Sequence, residues 1–384
     1  MRTALILSGG GARAAYQVGV LRAVMEIRED GGFPFDVVCG TSAGAINAVF
    51  LAANAQRPRE GVEALMRAWR AIAPSDVYDP GWLAVLGNLG RISLAALRGG
   101  GRGAPAALLD SAPLRRTLGN WLDLESARRN LAQGHLDTLC VTAMDYGDGS
   151  SVAFYEGGGA ATWDHRQRRG SPTRLELAHV MASAAIPVLF PAERIGDSFF
   201  GDGALRQLHP LSPALKFGAR RLFVVGVSAR SADDPAFRER RRPGIAQMAG
   251  HLLNREFIDN LEADVALAGR FNRLADALDE PGRQRTGMRR IDALVVSPSV
   301  PFNEIAAAYM REQPATMRLL FRLIGATPRG AGASFASYLM FDGRFCARLM
   351  DLGHQDAMRD RERIAAFLRV GAGGAALSPA PSAP

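Results

Sequence analysis

Short apolar runs alternate with longer segments of helical period from the start of the chain. Residues 4–7 are continuously apolar, the pattern of a strand buried on both faces. A glycine turn follows. In residues 14–27, Tyr16, Val20, Val24 and Ile27 then recur near helical spacing. Residues 35–39 repeat the strand pattern, Gly40 to Gly44 repeats the turn, and residues 43–53 read as a second helix. This βαβα order predicts an α/β fold with a parallel sheet and right-handed crossovers.

Further along, residues 139–144 and 152–155 flank Gly147-Asp148-Gly149-Ser150, a hairpin signal. Residues 175–184 predict a helix that stops at Ile186-Pro187. A strand region opening at Phe190-Pro191 ends in the turn Gly201-Asp202-Gly203. Residues 222–227 and 291–296 read as buried strands. Residues 245–278 read as a long amphipathic helix or helix pair, with Met248, Leu252, Ile258, Leu261, Val265 and Leu274 towards the core. Residues 304–369 predict mostly helix, interrupted at Pro314 and around 325–332, and the Gly/Ala/Ser/Pro tail from 371 predicts disorder. Residues 56–135 are less regular. The weakly charged stretch from Trp82 to Leu97 fits either ordinary core helices or a mobile wall beside an acyl site. Ser111-Ala112-Pro113 marks a helix start.

Composition narrows the class. An apolar fraction of 48% and a charged fraction of 22% are those of a soluble globular protein. No apolar run reaches the about 18 residues of a spanning helix, and Met1-Arg2-Thr3 leads into a strand rather than a signal sequence. Three scattered cysteines, Cys39, Cys140 and Cys346, read as buried free thiols, so a reducing, cytoplasmic location is expected. The net charge of +8 is carried by arginine, Lys216 being the sole lysine. Dense patches at residues 238–242 and 283–290 fit a solvated surface, or docking to anionic lipid headgroups at the periphery of a membrane. No zinc-finger spacing or aromatic RNA-binding pattern accompanies them, so nucleic acid is not expected as a partner.

The chemistry concentrates in two turns. Gly40-Thr41-Ser42-Ala43-Gly44 is a G-x-S-x-G elbow between strand and helix, which exposes Ser42 as a nucleophile above the sheet. Gly9-Gly10-Gly11 can offer backbone N–H groups to an oxyanion. Gly9, Gly11 and Ala14 also fit a loose dinucleotide fingerprint, but the elbow occupies the place where the ribose-binding acid belongs. Arg13 either adds positive charge there or forms a structural ion pair. None of the six histidines (His135, His165, His179, His209, His251, His354) sits in a triad context. Asp202, between two glycines, is either the base for Ser42 or part of a plain turn.

Together these segments resemble the patatin-like phospholipase family. Gly9-Gly10-Gly11-Ala12-Arg13 is similar to its oxyanion motif, Gly40–Gly44 to its serine motif, and Asp202-Gly203-Ala204 to its aspartate motif. Ala182 to Pro187, Phe190-Pro191 and Phe217-Gly218-Ala219 also fit, and the likeness runs over residues 4–228. Tyr338 to Phe341 and Leu352 to Ala357 look like C-terminal pieces of bacterial members. Ala14 and His209 depart from the usual glycine and asparagine.

The resemblance implies a three-layer α/β/α fold with a mainly parallel sheet. The hydrolase domain it covers is residues 1–228; a mainly helical region at 229–370 is expected to pack on that domain, as a cap or membrane face, with a disordered tail at 371–384. The resemblance also implies a Ser42–Asp202 dyad without histidine, metal or cofactor. Gly9, Gly10, Gly11 and Arg13 would form the oxyanion hole, and Gly40 and Gly44 the elbow. The expected substrate is a phospholipid or other acyl ester, cleaved as by a phospholipase A or lysophospholipase. Alternatives that keep the dyad are a short-chain carboxylesterase, a thioesterase and an acyltransferase. A further alternative is a non-catalytic lipid-binding protein.

Overall fold

The computed structural model describes residues 1–28, 31–78, 107–159, 162–165, 167–227, 260–313, 315–323, 326 and 331–369. The Trp82–Leu97 stretch, the 238–242 patch, Met248, Leu252, Ile258, His251, the break at Pro314 and the tail from 371 lie outside the described residues.

The strands are β1 (Thr3–Leu7), β2 (Val37–Thr41), β3 (Thr138–Asp145), β4 (Ser151–Gly157), β5 (Asp164–His165), β6 (Arg168–Pro172), β7 (Glu193–Ile195), β8 (Ser198–Asp202), β9 (Arg221–Val225) and β10 (Asp292–Val296). They form one sheet in the order β10-β9-β1-β2-β3-β4-β6-β5, with the β7–β8 hairpin attached to the end of β3. β10, β9, β1, β2 and β3 are mutually parallel, as the alternation of elements requires. The β3–β4 pair is the expected antiparallel hairpin.

Pairing, rather than the apolar run, sets the limits of β2. Val37 opens it opposite Ala4, while Asp36 accepts the Thr3 amide at 2.6 Å and stays out of the ladder. Gly40 and Thr41 remain in it because they pair with Val141 and Thr142.

The helices are α1 (Ala15–Ile27), α2 (Ala43–Ala53), α3 (Pro58–Ala71), α4 (Pro74–Val77), α5 (Ala112–Trp121), α6 (Leu124–Ala132), α7 (Leu177–Ser183), α8 (Ser212–Lys216), α9 (Asn260–Ala277), α10 (Glu280–Thr286), α11 (Phe302–Tyr309), α12 (Ala315–Leu323), α13 (Ala331–Leu339), α14 (Gly343–Arg359) and α15 (Arg361–Leu368). Strand side chains alternate between two cores. Leu5, Leu7, Val38, Phe223 and Val225 join α1, α2, α13 and α14 on one face. Ala4, Ile6, Val37, Leu222 and Val224 join α8 and α9 on the other. The fold is therefore α/β in three layers, with a mainly parallel central sheet.

The mainly helical region after residue 228 contributes β10 to this sheet and α14 to the larger core. α14 crosses α1 at paired glycines. A Cβ added at Gly19 would lie 1.9 Å from Met350 O, and one at Gly353 would lie 2.2 Å from Tyr16 O. Tyr16 also donates to Asp356 at 3.1 Å. On α9, Leu261 is buried and Val265 packs beside it, but Leu274 is exposed. Leu261, Ala268 and Ala275 repeat every seven residues and face inward, and Leu274 lies about 100° round the helix from Ala275. All three cysteines are free and buried.

Candidate active site

The elbow is where β2 turns into α2. Ser42 has φ 54° and ψ −130°, a backbone conformation that costs a residue with a side chain on the order of 1–3 kcal/mol. Close packing holds it there. A Cβ at Gly44 would lie 2.3 Å from Leu7 O and 2.6 Å from Ser8 O, and one at Gly40 would lie 2.5 Å from the Ala45 Cα. The elbow can thus sit directly against the end of β1, where the glycine loop begins. Ser42 N–H donates to Ser183 Oγ at 2.8 Å, and that hydroxyl donates to Thr142 O at 2.6 Å. Ser42 Oγ donates to Asp202 Oδ2 at 2.6 Å.

Asp202 ends β8 and stands opposite Ala143 of β3. Its own N–H donates to Ala185 O at 2.9 Å, and its Oδ1 accepts the Ala204 amide at 3.0 Å. Residue 203 must be glycine here, since a Cβ would fall 2.1 Å from Thr142 O. Ser42 is 2% exposed and Asp202 fully buried. Burial pushes the Asp202 carboxyl up to about 7, against the downward pull of its hydrogen bonds from Ser42 and Ala204. A carboxylate poised there can both take and return a proton near neutral pH.

Gly9, Gly10 and Gly11 are buried in the loop after β1. Gly11 has φ 54°, and a Cβ on it would fall 2.2 Å from Tyr338 O. The Gly10 and Gly11 amides make no hydrogen bond among the described residues. The loop is tied to α2 through buried side chains. Gln17 donates to Ser8 O at 2.7 Å, Asn47 donates to Gln17 at 2.9 Å and to Ala14 O at 3.1 Å, and Trp69 donates to Asn47 at 2.9 Å.

Arg13, expected among the oxyanion donors, is directed into α13. Its Nε donates to Ser337 at 2.7 Å, its terminal nitrogen donates to Ser334 O and Oγ, and its guanidinium lies 3.8 Å from the Tyr338 ring centre. The side chain is buried, and that burial lowers its pKa. These contacts make it an anchor of the loop.

No described histidine is a hydrogen-bond partner of Ser42 or Asp202. His209 pairs with Asp264 at 3.1 Å, His354 with Glu26, and His179 accepts the Glu176 amide. No cluster of His, Cys, Asp and Glu fit for a metal occurs among the described residues. Sequence reasoning gave no role to Ser183, Gln17, Asn47 or Gln207, whose Oε1 accepts the Thr41 hydroxyl at 2.6 Å. Ser183 had a signal, since it lies in the Ala182–Pro187 segment. The others had none, because they are ordinary polar residues until the fold brings their partners to them.

A family model for patatin-like phospholipases matches residues 5–215, a span that contains Ser42, Asp202 and the glycine loop. The chain belongs to this family. Over 51 residues the chain is 47% identical to Lysophospholipase nte1 from Aspergillus terreus, a match covering 13% of this chain and 3% of the fungal protein. Two solved structures are similar at 13% identity. VipD from Legionella pneumophila has a TM-score of 0.34 over 94% of this chain and 67% of its own. Human GIVD cytosolic phospholipase A2, in complex with methyl gamma-linolenyl fluorophosphonate, has a TM-score of 0.40 over 96% of this chain and 59% of its own. Among the described residues of this patatin-like protein, no helix is long and apolar enough to cross a membrane.

Proposed function

We propose that this chain is a serine lipid acyl hydrolase of the phospholipase A or lysophospholipase type, acting through a Ser42–Asp202 dyad. The observation that carries the reading is the 2.6 Å hydrogen bond from Ser42 Oγ to Asp202 Oδ2, made at a strained elbow inside the family-matched segment. In the first step Asp202 takes the Ser42 proton as Oγ bonds to the ester carbonyl carbon. The N–H groups of Gly10 and Gly11, with Gly9 beside them, stabilise the oxyanion, and one such donor is worth roughly 3 kcal/mol in the transition state. The intermediate collapses, the ester C–O bond breaks, and Asp202 returns the proton to the leaving alcohol. In the second step water gives a proton to Asp202 and attacks the acyl-enzyme. The fatty acid leaves, and Asp202 returns that proton to Ser42. Metal or cofactor has no part in this scheme.

The test is fatty-acid release from phospholipid vesicles and from a soluble p-nitrophenyl ester by wild type, Ser42→Ala and Asp202→Asn. We expect both variants to lose on the order of 10³-fold or more in kcat/KM on both substrates. Near-wild-type turnover by Asp202→Asn would remove aspartate from the reaction. Greater turnover of the short ester than of lipid would favour the carboxylesterase alternative.

A further inference from the structure

α9 carries a second apolar stripe that the core does not use. Leu267, Phe271 and Leu274 are 37%, 44% and 54% exposed, while Leu261, Ala268 and Ala275 of the same helix are buried, the first two in the core against the sheet. The spacings of four and three residues put the three exposed side chains on one line along the helix. Arg270 lies on the edge of this stripe, about 40° round the helix from Leu274, and Arg273 about 100° from it, both exposed. Arg285, in α10, and Arg289, just after it, are also exposed. None of these four arginines forms an ion pair among the described residues.

Most of the nearby acids are already engaged. Asp276 pairs with Arg290, Glu280 with Arg283 and Asp264 with His209, while Asp279 caps α10 through the Gly282 amide. The face therefore combines leucine and phenylalanine with uncompensated positive charge.

We propose that this face of α9 docks the protein on an anionic phospholipid surface, with Leu267, Phe271 and Leu274 entering the headgroup–acyl boundary and the arginines meeting lipid phosphates. The proposal rests on the lipid hydrolase reading for its purpose but not for its chemistry. Apolar side chains beside basic ones on one helix are what an interfacial helix requires. A second copy of this chain is a poorer occupant, because it would bring the same positive charge to the contact. α9 also reaches the catalytic end of the sheet, since Asp264 holds the Leu211 amide at 2.9 Å in the loop that carries Gln207.

The test is co-sedimentation of the full chain with phosphatidylcholine vesicles, with and without phosphatidylglycerol, over a range of salt. It is run in the Ser42→Ala background so that the vesicles stay intact. We expect binding that needs phosphatidylglycerol and weakens as salt rises. Leu267→Ser/Phe271→Ser/Leu274→Ser should weaken it by about tenfold or more, and Arg270→Gln/Arg273→Gln should weaken it and flatten its salt dependence. Phe271→Trp should keep it. With Ser42 restored, the triple-serine variant should hydrolyse the soluble ester as wild type does, which shows that the fold and site survive. Undiminished vesicle binding by the triple variant overturns the proposal, as does a failure of the Ser42→Ala protein with no other change to bind phosphatidylglycerol vesicles. A lipid-free dimer abolished by the triple-serine change would assign the face to a second copy instead. Absence of ester hydrolysis in wild type would sink the enzymatic reading alone.

Discussion

Asp202 is where a single side chain sets the behaviour of the site. Ordinary aspartate is ionised well below neutrality, whereas desolvation holds this one near 7. In the proposed reaction it must be unprotonated to accept the Ser42 proton. kcat/KM on a soluble ester should therefore rise with pH up to about 7 and level off above it; a flat profile between pH 5 and 9 would contradict this role. Stability runs the other way. Because the folded value lies above the unfolded one, the contribution of Asp202 is full below the unfolded value and is lost as pH rises through about 7. Asp202→Asn does not titrate, so its melting temperature relative to wild type should be higher at pH 8 than at pH 5. The change corresponds to on the order of 3 kcal/mol. Thermal melts at the two pH values check it.

Among the elements, β2, α2 and α7 share the task of holding Ser42. Ser183 bridges the Ser42 amide and the Thr142 carbonyl, so Ser183→Ala would leave a buried N–H without its partner. The expected cost is about 1–3 kcal/mol of stability, with a fall in kcat as the elbow relaxes; denaturant unfolding and steady-state kinetics read the two effects. Gly44→Ala should be harsher, because the added methyl meets backbone carbonyls of β1 rather than a side chain that can move. Its loss should exceed about 3 kcal/mol, or the protein should fail to fold.

For the whole molecule, the C-terminal region and the patatin-like part are one body. β10 extends the sheet, Gly353 lies against α1, and Arg13 runs from the glycine loop into α13. Arg13→Lys keeps the charge but loses the fork that serves Ser334 and Ser337 together. We expect it to lower stability by about 2 kcal/mol or more and to lower kcat with little change in KM. Full activity in the lysine variant would show that the anchor does not govern the loop.

The sequence alone determined the βαβα start, the elbow that carries Ser42 and the glycine loop, because each rests on local backbone needs; for Asp202 it left a base or a plain turn open, and only the family resemblance singled it out. Glycines where carbonyls approach, apolar runs in strands buried on both faces and a serine between strand and helix leave marks within a few residues. Tertiary structure decided the rest. It set β2 by its partners, moved Arg13 from the expected oxyanion donors to an anchor, and buried Gln17 and Asn47 into a network. It left Leu274 outside, although its apolar character had placed it in the core. These outcomes depend on which distant residues meet, and the hydrophobic period of a segment states that a face is apolar without stating what covers it.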